Sequence, residues 1–276
     1  MLFDTHCHLN FQAFEESLLA IIESAQAIGV QKIVIPGTDV TSSQKATAIA
    51  AAHKWMYAAV GIHPHHMYKL KNKSAKLKII EELKNIEKLL AEKKVVAIGE
   101  VGVDRHEYEI TQYQDYSIDE EFIAVQKVLL ARQIDLAIQY EKSLILHNRK
   151  AVDDILEVLA EKWDDTLRFR TVFHCCEADE QLLAFAIDKG VYIGVDGDIT
   201  WSKKKQRFIQ SVPLAMLVLE TDAPYLTPEG ARAKQPFPNE PKNITYVRDM
   251  VAHIHNITSM EVEKKTTDNA LRLFNV

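Results

Sequence analysis

The chain has 276 residues, 47% of them hydrophobic and 26% charged, an ordinary globular balance that excludes a disordered chain, a collagen-like repeat and a coiled coil. A chain of this size buries about three quarters of its unfolded surface, and one α/β barrel of about 250 residues accounts for the length as well as two smaller domains would. Its 33 Lys and Arg against 39 Asp and Glu leave a formal charge of −6, the wrong sign for a broad basic surface that grips nucleic acid.

Leu2–Asp4 is a short apolar run with β character, and a helix is predicted over Phe14–Ile28, where Leu18, Ile21, Ile22 and Ala25 share a face. Lys32–Ile35 and Tyr57–Ile62 read as the second and third strands. The helix predicted over Ala75–Glu92 aligns Ile79, Ile80, Leu83, Ile86 and Leu90, and the strand Val95–Gly99 follows. Glu120–Tyr140 reads as a helix carrying Val125, Leu129 and Leu136. Strands at Leu144–Leu146, Arg170–Phe173 and Val191–Val195 then alternate with helices near 149–162, 178–189 and 203–211. The last strand, Leu217–Leu219, is followed by the proline-rich loop Pro224 to Pro241 and by helices near 243–255 and 259–274. Gly29 and Gly190 fall just after helical patterns, where a residue with positive φ is wanted.

Most of these β-runs are continuous rather than alternating, as expected for parallel strands covered on both faces. Eight strand–helix units predict a closed (β/α)8 barrel, a single domain over 1–276 with its site at the C-terminal ends of the strands. The residues at or just past those ends are not random. They are His6 and His8, His63 and His65, Glu100, His147, His174 and Asp222. In a closed barrel all of them meet at one rim. His6 and His8, two apart, project to the same side of an extended segment.

Four of these imidazoles (His6, His8, His147, His174) and two carboxylates (Glu100, Asp222) form a mixed N/O set suited to Zn²⁺ or Mn²⁺, and less tidily to Mg²⁺. Six donors exceed the needs of one open catalytic site but suit two divalent cations sharing a carboxylate. If the chain handles phosphates, those cations would supply the positive charge that its acidic balance lacks. Asp222 is the candidate to take a proton from attacking water, with Glu100 as the shared carboxylate. His63, His65 and Arg149 are candidates to contact substrate phosphate, and Arg105 is a further one. Asp4 and Asp104 are placed to orient ligand histidines. Lys203, Lys204 and Lys205 read as a solvated helix start.

Several segments together resemble the TatD-type metal-dependent deoxyribonucleases. They are Asp4-Thr5-His6-Cys7-His8-Leu9, Gly61-Ile62-His63-Pro64-His65, Gly99-Glu100-Val101-Gly102-Val103-Asp104 and Leu146-His147-Asn148-Arg149. Val172-Phe173-His174-Cys175, the run from Leu219 to Leu226 and Asn239-Glu240-Pro241 complete the series, in family order along essentially the whole chain. The resemblance implies a TIM barrel hydrolysing DNA phosphodiesters, often at 3′ ends. It also implies one metal on His6, His8 and Asp222, another on His147 and His174, and Glu100 between them. Relatives acting on RNA or on aminoacyl-tRNA bonds make those the alternative substrates. The chain departs from the family pattern at Cys176-Glu177-Ala178, where an acid beside the site would repel phosphate unless it turns away.

The acidic balance favours weak, short-footprint binding to single-stranded ends. Three cysteines without CxxC spacing fit a reducing compartment. The absence of a signal-peptide pattern or a long apolar run points to the cytoplasm, with no membrane partner. The expected form is a monomer with no obligate protein partner.

Overall fold

A computed structural model of the chain describes residues 1–70 and 75–276. All eight expected β-runs become strands: β1 (Leu2–Asp4), β2 (Val30–Pro36), β3 (Met56–Val60), β4 (Val95–Asp104), β5 (Ser143–Arg149), β6 (Thr171–Phe173), β7 (Tyr192–Val195) and β8 (Leu217–Leu219). They form one parallel sheet in sequential order from β1 to β8. The seam between its two ends is made just past the strands. Thr5 donates its amide to the Leu219 carbonyl at 3.0 Å, Asp222 to His6 at 2.9 Å and His8 to Ala223 at 2.8 Å. Asp4 ties the same seam, accepting from the Thr221 amide (3.0 Å) and hydroxyl (2.7 Å). The architecture is the (β/α)8 barrel.

Around it run α1 (Leu18–Ala27), α2 (Val40–Ala52), α3 (Ala75–Leu89), α4 (Glu120–Gln139), α5 (Val152–Lys162), α6 (Glu180–Lys189) and α7 (Lys203–Ser211). A short α8 (Glu229–Arg232) interrupts the long loop, before α9 (Ile244–His255) and α10 (Ser259–Phe274). Gly29 (φ 95°) and Gly190 (φ 69°) take the left-handed conformation expected after α1 and α6. Among the described residues no helix is long and apolar enough to cross a membrane.

The periodicity misses α2 because Val40–Ala52 has no bulky stripe; Ser43, Ala46, Thr47 and Ala50 are its buried face. Its start is marked instead by a capping box, in which Asp39 and Ser42 serve each other's backbone amides. The first helix begins at Leu18 rather than Phe14, since Gln12–Phe14 forms a separate 3₁₀ turn. β4 and β5 outrun their apolar signal to Asp104 and Arg149, which face each other in register. Glu100 therefore sits inside a strand.

Alternate residues along each strand feed two apolar clusters on opposite faces of the sheet: Ile33 and Ile35 join one, Val34 the other. Two buried glutamines of α4 fix strand ends beside the site. Gln133 accepts from the Ile62 amide at 2.7 Å and donates to its carbonyl, while Gln126 does the same for Asp104.

Candidate metal centre

The side chains that converge at the C-terminal rim are nearly out of water. His6, His8, Glu100 and His174 are buried, while the His147 and Asp222 side chains retain 13% and 14% exposure. That residual exposure gives solvent and substrate an entry. The Glu100 carboxylate spans the middle. Its Oε2 lies 3.4 Å from His6 Nε2 and 3.5 Å from His8 Nε2. Its Oε1 lies 2.8 Å from His147 Nδ1 and 3.5 Å from His174 Nε2. Asp222 Oδ1 approaches His6, His8 and His174 at 3.8, 3.6 and 3.8 Å. The compact donor groups at this rim include His6, His8 and Asp222, and Glu100, His147 and His174; His6, His174 and Glu220 cluster as well, as do His63, Asp104 and His147.

Hydrogen bonds behind the rings decide which nitrogens are bare. His8 Nδ1 donates to the Pro36 carbonyl at 3.2 Å, leaving Nε2 as a lone pair facing the centre. His174 Nδ1 donates to Glu220 Oε1 at 3.1 Å with the same consequence. His147 Nε2 is held by Asp104 Oδ2 at 3.1 Å, which turns Nδ1 inward. The Nε2 atoms of His6 and His8 stand 3.1 Å apart, and His6 Nδ1 is buried without a partner. Two imidazole nitrogens facing each other in a buried site call for a proton or a cation to share, and neutral imidazoles with carboxylates are a donor set for a divalent cation.

Burial holds His6 and His174 neutral, pushed down to about 3. Burial opposes the Glu100 charge, but His63 and His174, with hydrogen bonds from His147 and His6, hold it well below the usual carboxylate range. Burial, together with the charges of Glu100, Asp196 and Glu220, drives Asp222 well up. His147 goes the other way: despite its burial, Asp104 and Glu100 lift it to about 10.

The remaining expected residues divide. His63 joins the centre, with Nε2 3.5 Å from Glu100 Oε1. Its Nδ1 accepts from the His65 amide at 3.1 Å, so Nε2 carries the proton and points a donor inward. His65 stands back in an aromatic wall, its ring centroid 4.8 Å from both Tyr108 and Tyr116 and its Nε2 2.9 Å from the Thr111 hydroxyl. Arg149 reaches the Tyr108 hydroxyl at 3.2 Å and pairs with no carboxylate among the described residues. Arg105 does not reach the site: Asp154 and Glu120 hold its guanidinium, with the shortest contact 2.6 Å. Asp104 orients His147 as expected; Asp4 reaches no imidazole, but besides tying the seam it accepts from the His6 backbone amide at 3.3 Å.

Glu177 is occupied by the Asn148 amide (2.8 Å) and the Lys150 backbone, so its charge braces a turn. Lys205 is not solvated but buried, its Nζ 3.1 Å from Asp198. The residue that the sequence analysis misses is Glu220, which backs His174. A Cβ on Gly194 would come within 2.6 Å of its carboxylate, so β7 leaves room for it. Its signal was available, since Glu220 and Asp222 share the two-residue spacing that marks His6 and His8.

A nitrogen- and carboxylate-lined pocket at the rim of a (β/α)8 barrel defines the class of metal-dependent hydrolases. Comparison with known proteins narrows it: the family described as TatD related DNase matches residues 3–275. The chain belongs to that family. A Bacillus subtilis relative, "Uncharacterized metal-dependent hydrolase YabD", is 32% identical over 278 residues, covering 100% of both chains. "3'-5' ssDNA/RNA exonuclease TatD" of Erwinia tasmaniensis is 28% identical, again over 100% of both. Among solved structures, the TatD homologue YJJV from Escherichia coli superposes with a TM-score of 0.84 at 30% identity, covering 100% of this chain and 98% of its own.

Proposed function

We propose that this metal-dependent hydrolase is a deoxyribonuclease that trims single-stranded 3′ ends using two divalent cations. The observation that carries this reading is the placement of Glu100, whose two oxygens face two different histidine groups. In this reading His6, His8 and Asp222 would hold one cation and His147 and His174 the other, with Glu100 available to both. The nitrogen-rich donors favour Zn²⁺ or Mn²⁺ over Mg²⁺. Bound there, the cations supply Lewis acidity and lower the pKa of water.

The protein's own groups do the rest. His63 offers its Nε2 proton to a phosphate oxygen, and Arg149 offers guanidinium donors beside it. His65 supports this wall from behind. Asp222, whose side chain stays 14% exposed, takes the proton of the attacking water at its carboxylate. The name of the Erwinia relative supports single-stranded DNA as substrate and makes RNA the polymer to compare. Free Cys7, Cys175 and Cys176 support a cytoplasmic setting.

Metal analysis should find two equivalents per chain, and 5′-labelled single-stranded DNA should shorten stepwise from its 3′ end, with RNA run alongside. Glu100→Ala should lower turnover about a hundredfold or more with unchanged circular dichroism. Full activity in that variant, or a single bound equivalent, would remove the bridging role.

A further inference from the structure

Two aromatic rings stand beside the centre without a task in the chemistry above. Phe11 lies almost parallel to the His8 imidazole, with centroids 4.2 Å apart and planes at 15°. Tyr225 meets Phe11 edge-on at 6.3 Å and 73°. Each is tied to a pocket residue by a tight turn: the Phe11 amide donates to the His8 carbonyl at 3.0 Å and the Tyr225 amide to Asp222 at 2.8 Å. Phe11 is partly buried, and Tyr225 is 49% exposed although Ala223 and Pro224 before it, and Thr227 and Pro228 after it, are all buried. An aromatic ring left in water within an otherwise buried turn adds little to folding. The opposite wall differs in kind, presenting the Tyr108 hydroxyl and the Arg149 guanidinium, joined to His147 through Asp104.

We infer that Phe11 and Tyr225 form a stacking site for one unpaired nucleobase next to the phosphate handled at the histidine–carboxylate centre. The inference rests on the nuclease reading and deepens it by naming what is read in the substrate: the flat face of a base, whatever its sequence. Phe11 is one imidazole away from the pocket, so the sugar of a nucleotide spans from a phosphate in the pocket to a base on the ring. Every base has a π-face, so such a site is tolerant of sequence. A duplex keeps its bases paired inside, which makes the ring pair a filter for single strands. The acidic chain also gains a grip on nucleic acid that needs no positive charge.

The test compares kcat/KM of the metal-loaded enzyme on single-stranded DNA carrying normal bases and on strands with a tetrahydrofuran abasic residue at each of the last three 3′ positions. Base removal at one of these positions should cost wild type about tenfold. That penalty should collapse toward one in Tyr225→Leu, whose exposed site tolerates the change, and survive in Tyr225→Phe, which keeps the ring. Phe11→Leu should also reduce it. Wild type that degrades normal and abasic strands equally well, or Tyr225→Leu with the full penalty, would overturn the stacking site while leaving the nuclease reading intact. No cleavage of any strand by wild type would overturn both.

Discussion

Glu220 and His65 show how single side chains tune the centre without entering it. Glu220 accepts the Nδ1 proton of His174 and so keeps Nε2 bare for the pocket. Glu220→Gln keeps the shape but weakens that hold, and partners of this kind are worth about 10–100-fold in metal affinity or activity. We expect a loss of that size in metal affinity, read by chelator competition, with a melting temperature close to wild type. His65 is half-buried, and burial, together with the neighbouring His63, pushes it down to about 4 from its ordinary 6.5. Its neutral form is therefore favoured by folding. This contribution is complete above pH 6.5 and is lost as pH falls through 4, because the unfolded chain then binds a proton that the folded chain refuses. Solvent screening at a half-exposed ring limits the effect to about 1 kcal/mol. Urea titrations of the metal-free protein should find His65→Gln losing less stability than wild type between pH 7.5 and 4.5; parallel curves would show that the ring titrates alike in both states. The six side chains that meet at the rim were legible in the sequence because each follows an apolar strand signal, where a polar residue stands out. Glu220 carries the same two-residue signal beside Asp222, but nothing in the sequence separates the carboxylate that enters the pocket from the one that backs His174.

Helix α4 acts on the centre through two glutamines seven residues apart on its buried face, Gln126 and Gln133. Each amide replaces a strand partner: it fills both the donor and the acceptor of one backbone unit at the end of β4 or just past β3. An apolar substitute leaves those buried groups unpaired, at about 1–3 kcal/mol each. Gln126→Leu and Gln133→Leu should each lower unfolding free energy by about 2–4 kcal/mol in denaturant titrations. They should differ at the site. Gln126 holds the backbone of Asp104, which orients His147, so its loss should also weaken metal binding more than the loss of Gln133 does. Equal metal affinities in the two variants would show that Asp104 is positioned by other contacts, such as the Tyr108 hydroxyl at 2.7 Å. The amphipathic stripe of α4 could be read from its apolar residues, yet a buried glutamine looks in sequence like a surface one. In the same way α2 escaped notice, because a helix of Ala, Ser and Thr that fits closely against the barrel offers no bulky periodicity. What could be read was the kind and order of elements; what could not were the places where polar groups go inside.

The barrel brings together residues as distant as His6 and Asp222 by closing the sheet, and under the proposed function the −6 charge of the chain governs how that rim meets a polyanion. Some half-buried basic side chains are committed away from the rim: Arg105 to Asp154 and Glu120, Lys127 to Glu157, Lys162 to Asp135. Near the centre, Arg149 has no carboxylate partner among the described residues. Two divalent cations would add four positive charges at the rim, which confines the attraction to the scissile phosphate and its nearest neighbours. Each phosphate neutralised on a single strand contributes about −0.7 to the slope of log affinity against log salt. Two or three contacts give a slope near −1.4 to −2, shallow for a protein that acts on DNA. Binding of a fluorescent oligonucleotide to the Glu100→Ala variant or to a calcium-loaded enzyme, followed from 50 to 300 mM salt, checks this. A slope steeper than about −4 would require a basic track of six or more contacts. A track of that length would have to lie beyond the rim, and the proposed selection of short single-stranded ends would then rest on the ring pair and not on charge.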